Sequence, residues 1–189
     1  MMKIFCFLLL LIISCNQNNN YDIFSNSNIR FKKLDLDNNI SYKNKYDVCN
    51  IKVKLIPLEN SVKLSDKERD YIIEATGYVK DLFFIESIFL QEDSQTSCLI
   101  GYMGAENNSL GKLINYIESI DYNILKNYFN INGNKNIQYK ITLEDTILFF
   151  SIFEEKNSNY FILSYTFPKE NEYISMEQVA NSISSVEFY

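Results

Sequence analysis

Ser109 and Lys112 stand three residues apart at the start of a helical pattern, the spacing at which serine acylating enzymes place a nucleophile and a lysine. Those enzymes also need Ser-Asp-Asn and Lys-Thr-Gly elements, and the chain has neither. A serine opening a helix is ordinarily an N-cap, and that is the role expected of Ser109. Gly104 to Lys112 lies between a predicted strand and a helix, where a phosphate-binding loop belongs. Six residues separate its glycines where four are required, Leu113 replaces the magnesium-holding Ser or Thr, and Glu106 would repel phosphate. Asp35-Leu36-Asp37-Asn38-Asn39 begins like a calcium loop, but Ile40 takes the place of the turn glycine and Tyr46 that of the bidentate glutamate. Glu86 is the carboxylate inside the apolar run Phe83 to Leu90; a buried carboxylate would be perturbed, so a wet-face position is expected.

Composition narrows the chemistry further. Histidine is absent, which removes Ser-His-Asp and Cys-His catalysis, histidine metal sites and histidine pH switching. No run of basic residues occurs, so nucleic acid is not an expected partner. No catalytic, cofactor or metal residue is assigned, and the chain is read as a non-enzyme. Cys49 alternates with Ile51, Val53 and Leu55, and Cys98 with Ile100 and Tyr102, so both thiols are expected to face inward. In an oxidising envelope Cys49 and Cys98 could form a disulfide; otherwise both act as small buried hydrophobes.

The amino end carries a different signal. Lys3 precedes ten apolar residues, Ile4 to Ile13, a length suited to an export signal and well short of the ~20 a membrane-spanning helix needs. Ser14 and Cys15 follow at once. This ending resembles the lipobox of bacterial lipoproteins, whose cysteine becomes the first mature residue and is acylated, although the commonest pattern has Leu three residues before it and Gly or Ala directly before it, where this chain has Ile12 and Ser14. The resemblance implies removal of residues 1–14 and lipidation of Cys15. Two or more acyl chains, at ~0.8 kcal/mol per buried methylene, hold a protein stably on a membrane. The mature charge would then be 17 minus 24, or −7, spread diffusely enough to favour solubility.

Residues 15–45 are polar and Asn-rich, as expected of a flexible tether, with weak alternation over Ile29 to Leu36 that could make an extra edge strand. Residues 46–189 are expected to form one domain. Asp47 to Pro57 alternates as a strand with one wet face. Ser65 and Glu68 form a capping box for a helix reaching about Ala75, with Gly77 placed to end it. Phe83 to Gln91 and Cys98 to Met103 read as a hairpin around the polar turn Glu92 to Thr96. Ser109 to Tyr128 carries apolar residues at helical spacing and predicts one long helix. Ile137 to Leu143, Thr146 to Phe153 and Tyr160 to Phe167 predict a meander, the last two apolar on both faces. Ser175 and Gln178 suggest a capping box, with Ile174 and Val179 spaced as a hydrophobic staple, for a last helix; Val186 to Tyr189 closes as a strand.

This order predicts an α+β fold, a mostly antiparallel central sheet flanked by helices. The helix before the meander and the ending Tyr160 to Phe167, helix, Ser184 to Phe188 are similar to the PsbP/DcrB-like fold family over residues 47–189. The resemblance implies a sandwich and an adapter-like role, often in exported lipoproteins; its pattern defines no site, so no residue role is carried over. Together these readings describe a lipid-anchored protein of the bacterial cell envelope acting as a binding or accessory module. The alternative is a carrier holding a small apolar ligand or lipid between the long helix and the sheet.

Overall fold

Ser65 begins the first helix as its sequence requires: its backbone N–H donates to Glu68 Oε2 at 2.9 Å and its hydroxyl donates to the same oxygen at 2.7 Å. The computed structural model describes residues 45–76, 82–104, 109–131, 133–155 and 159–189. The proposed signal, Cys15, the tether, the calcium-like segment at Asp35 and the helix stop at Gly77 all lie outside these residues.

The elements are β1 (Tyr46–Val48), β2 (Val53–Leu55), β3 (Val62–Lys63), α1 (Asp66–Thr76), β4 (Phe84–Gln91), β5 (Thr96–Met103), α2 (Ser109–Glu118), β6 (Asn123–Ile131), β7 (Asn134–Thr142), β8 (Thr146–Glu154), β9 (Tyr160–Pro168), α3 (Glu172–Ser184) and β10 (Glu187–Phe188). Seven strands form one sheet in the order β3-β4-β5-β9-β8-β7-β6, and a second sheet runs β1-β2-β10. All pairings are antiparallel.

β8 and β9 lie near the centre of the large sheet and are buried on both faces, which is why their runs are continuously apolar. On one face Leu148, Phe150, Ile152 and Ile162 pack with Leu113 and Ile117 of α2, and Ile72 and Ile73 of α1 pack against the same cluster. On the other, Phe149, Phe153, Phe161 and Tyr165 pack with Val179 and Ile183 of α3 and with Val48, Val53 and Leu55 of the small sheet. One register row crosses six strands as Phe84, Tyr102, Phe161, Phe153, Asn136 and Phe129. Phe188 of β10 stands over its middle, 5.9 Å from Phe153 and 6.2 Å from Phe161 between ring centroids, and so fastens the small sheet to the large one.

Several expectations need correction. The long helix stops at Glu118, and Asn123 to Ile131 is an edge strand paired with β7. Ile124, Leu125 and Tyr128 happen to continue the helical spacing, but the chain turns back between β6 and β7, where Gly133 stands at φ 82°. The first predicted strand is broken by a 3₁₀ turn over Cys49–Ile51 and by Lys52 at φ 51°. The break turns Cys49 outward, while Cys98 is buried, and both thiols are free, so no disulfide joins them. The last helix opens at Glu172, three residues early. Ser175 is therefore no cap but a buried residue sharing a hydrogen bond with Thr96 Oγ1 at 3.1 Å, and Ile174 is exposed instead of stapled.

Candidate functional site

Among the polar clusters of the described residues, two that join titratable side chains serve the architecture and a third opens to solvent. Tyr139 donates to Glu118 Oε1 at 2.9 Å, and the Lys126 ammonium meets the same oxygen at 2.6 Å. Burial, and then the Glu118 carboxylate, push the Tyr139 phenol up, against the pull of Lys126. For Lys126, burial opposes the charge, but hydrogen bonding to Glu118, Tyr139 and Tyr128 outweighs it and raises its pKa. A phenol held neutral against a lysine held charged is a pin between the end of α2 and the sheet edge, not an acid–base pair.

The second cluster is buried under α3. Tyr165 donates to Ser182 Oγ at 2.7 Å, and Ser182 donates to the Ile56 carbonyl at 2.6 Å. The Ile56 N–H donates to Ser185 Oγ at 2.7 Å, so the helix grips both sides of one residue. Burial pushes the Cys98 thiol up in the same region, which makes it inert.

The third cluster opens to solvent. Arg69 projects from α1 and forms a double contact with Asp70 Oδ1, from Nε at 3.0 Å and Nη2 at 2.8 Å, while Nη1 meets Asp66 Oδ1 at 3.0 Å. The hydrogen bond to Asp70 is the main reason its pKa rises further. The same Nη1 donates to the Glu86 carbonyl at 3.0 Å. Glu86 is where β4 slips register: Ile85 faces Gly101 and Ser87 faces Ile100, leaving Glu86 as an extra, bulged residue. Its carbonyl turns toward α1 and Arg69 takes it.

Beside that contact lies a cleft of about 280 Å³, lined by Arg69, Asp70, Ile73 and Glu74 of α1 and by Phe83, Phe84 and Ile85 at the start of β4. Phe83 forms the floor by lying against Gly101. Arg69 is committed to its two aspartates and the Glu86 carbonyl. What remains for a guest is the aromatic floor at Phe83 and a carboxylate rim made by Glu74 and the second oxygen of Asp70. Such a surface suits an aliphatic stem ending in a cation.

Of the sequence candidates, Ser109 is the first residue of α2, and its side chain lies outside the described residues, as do residues 105–108. Lys112 is exposed on α2. Glu86 is half-buried at the bulge and contributes its carbonyl to the cleft wall. Leu113 and Ile117 are fully buried against the sheet, and the cleft described above lies under α1. The sequence reading passed over Arg69, one of two arginines in the chain, although its spacing from Asp66 and Asp70 on a capped helix is a visible signal. Among the described residues no group of three or more Cys, Asp or Glu could hold a metal ion, and no helix is long and apolar enough to cross a membrane.

No protein-family model matches the chain, and no curated protein matches it. The fold is similar to the solution structure of cyanobacterial PsbP (CyanoP) from Synechocystis sp. PCC 6803, with a TM-score of 0.51 and 8% identity over 77% of this chain and 92% of that one. The expected PsbP-like α+β architecture is thus present, and at this identity the likeness concerns the fold alone.

Proposed function

We propose that this chain is a lipid-anchored protein of the bacterial cell envelope that works as a binding module without catalysis of its own, its partner inserting a lysine or arginine side chain between α1 and β4. The anchor rests on Lys3, the apolar run to Ile13 and Cys15 after Ser14. Binding rests on one observation: a cleft of about 280 Å³ with an aromatic floor and an acidic rim. Small-molecule pockets occupy roughly 300–1,000 Å³, so this volume suits one long side chain better than a lipid. A partner protein is accordingly favoured over a carried apolar ligand.

Two measurements test the parts separately. Radiolabelled palmitate should enter the full-length chain and be lost on Cys15→Ala; retained label sinks the anchor. A photo-crosslinking residue at position 73, on the α1 wall of the cleft, should capture one envelope protein in intact cells, and Glu74→Lys should abolish the capture by repelling the incoming cation. Capture that survives Glu74→Lys, or none at all, removes the cleft from the proposal.

A further inference from the structure

Tyr46 fixes where the amino-terminal segment meets the domain. Its hydroxyl shares a 2.6 Å hydrogen bond with Ser87 Oγ on β4 and accepts another from Lys63 Nζ at 3.2 Å. Ser87 follows Glu86, whose carbonyl Arg69 holds beside the cleft. The chain therefore joins the described residues close to the cleft, and everything ahead of Lys45 lies outside them. β3 pairs only with Phe89 and Leu90, so no described strand bars the way around the β4 edge at Phe84 to Ser87.

That outside segment carries the complement of the cleft. Arg30-Phe31-Lys32-Lys33 holds three cations in four residues, a density reached nowhere else in the chain. The spacing agrees as well. In extended backbone Arg30 and Lys32 project to one side about 6.6 Å apart. Asp70 and Glu74, four residues apart on α1, are separated by about 6 Å along the helix. Lys43 and Lys45 repeat the two-residue spacing, but Lys45 is spent on Glu187 at 2.9 Å. Residues 34–45 span up to about 40 Å when extended, enough to lead from Lys33 around the β4 edge to Tyr46.

We infer that Arg30 and Lys32 of the same chain occupy the cleft until a partner arrives, so that the proposed tether restrains the site it delivers; this rests on the reading of the cleft as a cation site. Arg30 lays its stem on Phe83 and its guanidinium against Glu74, while the Lys32 ammonium takes the Asp70 oxygen that Arg69 leaves. The polarity follows from the exit. Asp70 adjoins Arg69, which holds the Glu86 carbonyl next to Ser87, so the chain returning to Tyr46 leaves by the Asp70 end. A partner's cation must then displace a competitor that its short linker keeps at about millimolar effective concentration.

A carbodiimide, which joins a lysine amine to a carboxylate in contact with it, tests the pairing without any substitution. Applied to the purified full-length chain in mild detergent, it should link Lys32 to Asp70 in a product of single-chain mass, located by peptide mass spectrometry. Glu74→Lys should lower the yield about tenfold by repelling Arg30, and Arg30→Glu in the same chain should restore it. No such link, a link only in a product of twice the chain mass, or indifference to Glu74→Lys overturns the inference. The cleft reading is separated from it in intact cells, by the envelope protein captured from a photo-crosslinking residue at position 73. With Arg30→Glu and Lys32→Glu that capture should rise severalfold, because the competitor is gone. Unchanged capture overturns the inference alone; no capture from either chain overturns the cleft reading and the inference with it.

Discussion

Phe83 occupies the place where a side chain on residue 101 would begin: a Cβ built on Gly101 lies 2.6 Å from Phe83 Cδ2 and 2.7 Å from the Phe84 carbonyl oxygen. The floor of the cleft therefore depends on a missing methyl group one strand away.

Gly101→Ala is expected to lower stability by roughly 1–3 kcal/mol, because one of the two obstructions is backbone and cannot rotate aside. Urea denaturation read by tyrosine fluorescence measures the change. An unchanged midpoint would show that the strand start at Phe83 shifts at no cost.

Ser182→Ala should cost about 1–3 kcal/mol, since it takes the acceptor from the buried Tyr165 hydroxyl and leaves the Ile56 carbonyl only the long 3.5 Å contact from Ser185 Oγ. Tyr165→Phe should cost less, because Ser182 still reaches Ile56. The order of the two urea midpoints is the check, and a reversed order would contradict this hydrogen-bond chain.

A maleimide applied to the folded full chain should modify Cys49 and spare Cys98, which reacts only after unfolding. Peptide mass spectrometry locates the label. Protection of both thiols until a reductant is added would restore the disulfide that the structure lacks.

Two exposed groups set the pH limits of local order. Hydrogen bonds from Ser65 lower the Glu68 pKa, so its contribution is present above the ordinary carboxylate range and lost as pH falls through the lowered value. Tyr189 donates to Asp47 Oδ1 at 2.7 Å, which pushes its phenol up from 10.0 to about 12. That raised value makes its contribution complete below pH 10.0 and lost by about 12. NMR titration should show Ser65→Ala raising the Glu68 midpoint part of the way, since the backbone N–H bond remains, and Asp47→Asn lowering the Tyr189 midpoint.

The hairpin of β4 and β5, the strands β7 to β9 and the capping box at Ser65 were legible because each rests on a short-range signal that tertiary packing does not overrule. The junction after Glu118 was not, since Ile124, Leu125 and Tyr128 satisfy two periods at once and only Asn132-Gly133 votes for a hairpin. Cys49 was misplaced because alternation assumes an unbroken strand, and a lysine in the left-handed region at position 52 gives no warning. The cleft escaped for a similar reason. A bulge at Glu86 is a property of two strands in register, and a single strand's sequence does not display it.

The pairing of β10 with β2 has a temporal consequence. Glu187 and Phe188 close a sheet on residues made near the start of the folded region, and the Lys45–Glu187 bond alone spans 142 positions. A chain emerging amino end first must hold Tyr46 to Leu55 open, apolar face uncovered, until nearly the whole polypeptide has arrived. The small sheet is thus the natural latch of maturation, and its unclosed form is the surface a holding chaperone would meet.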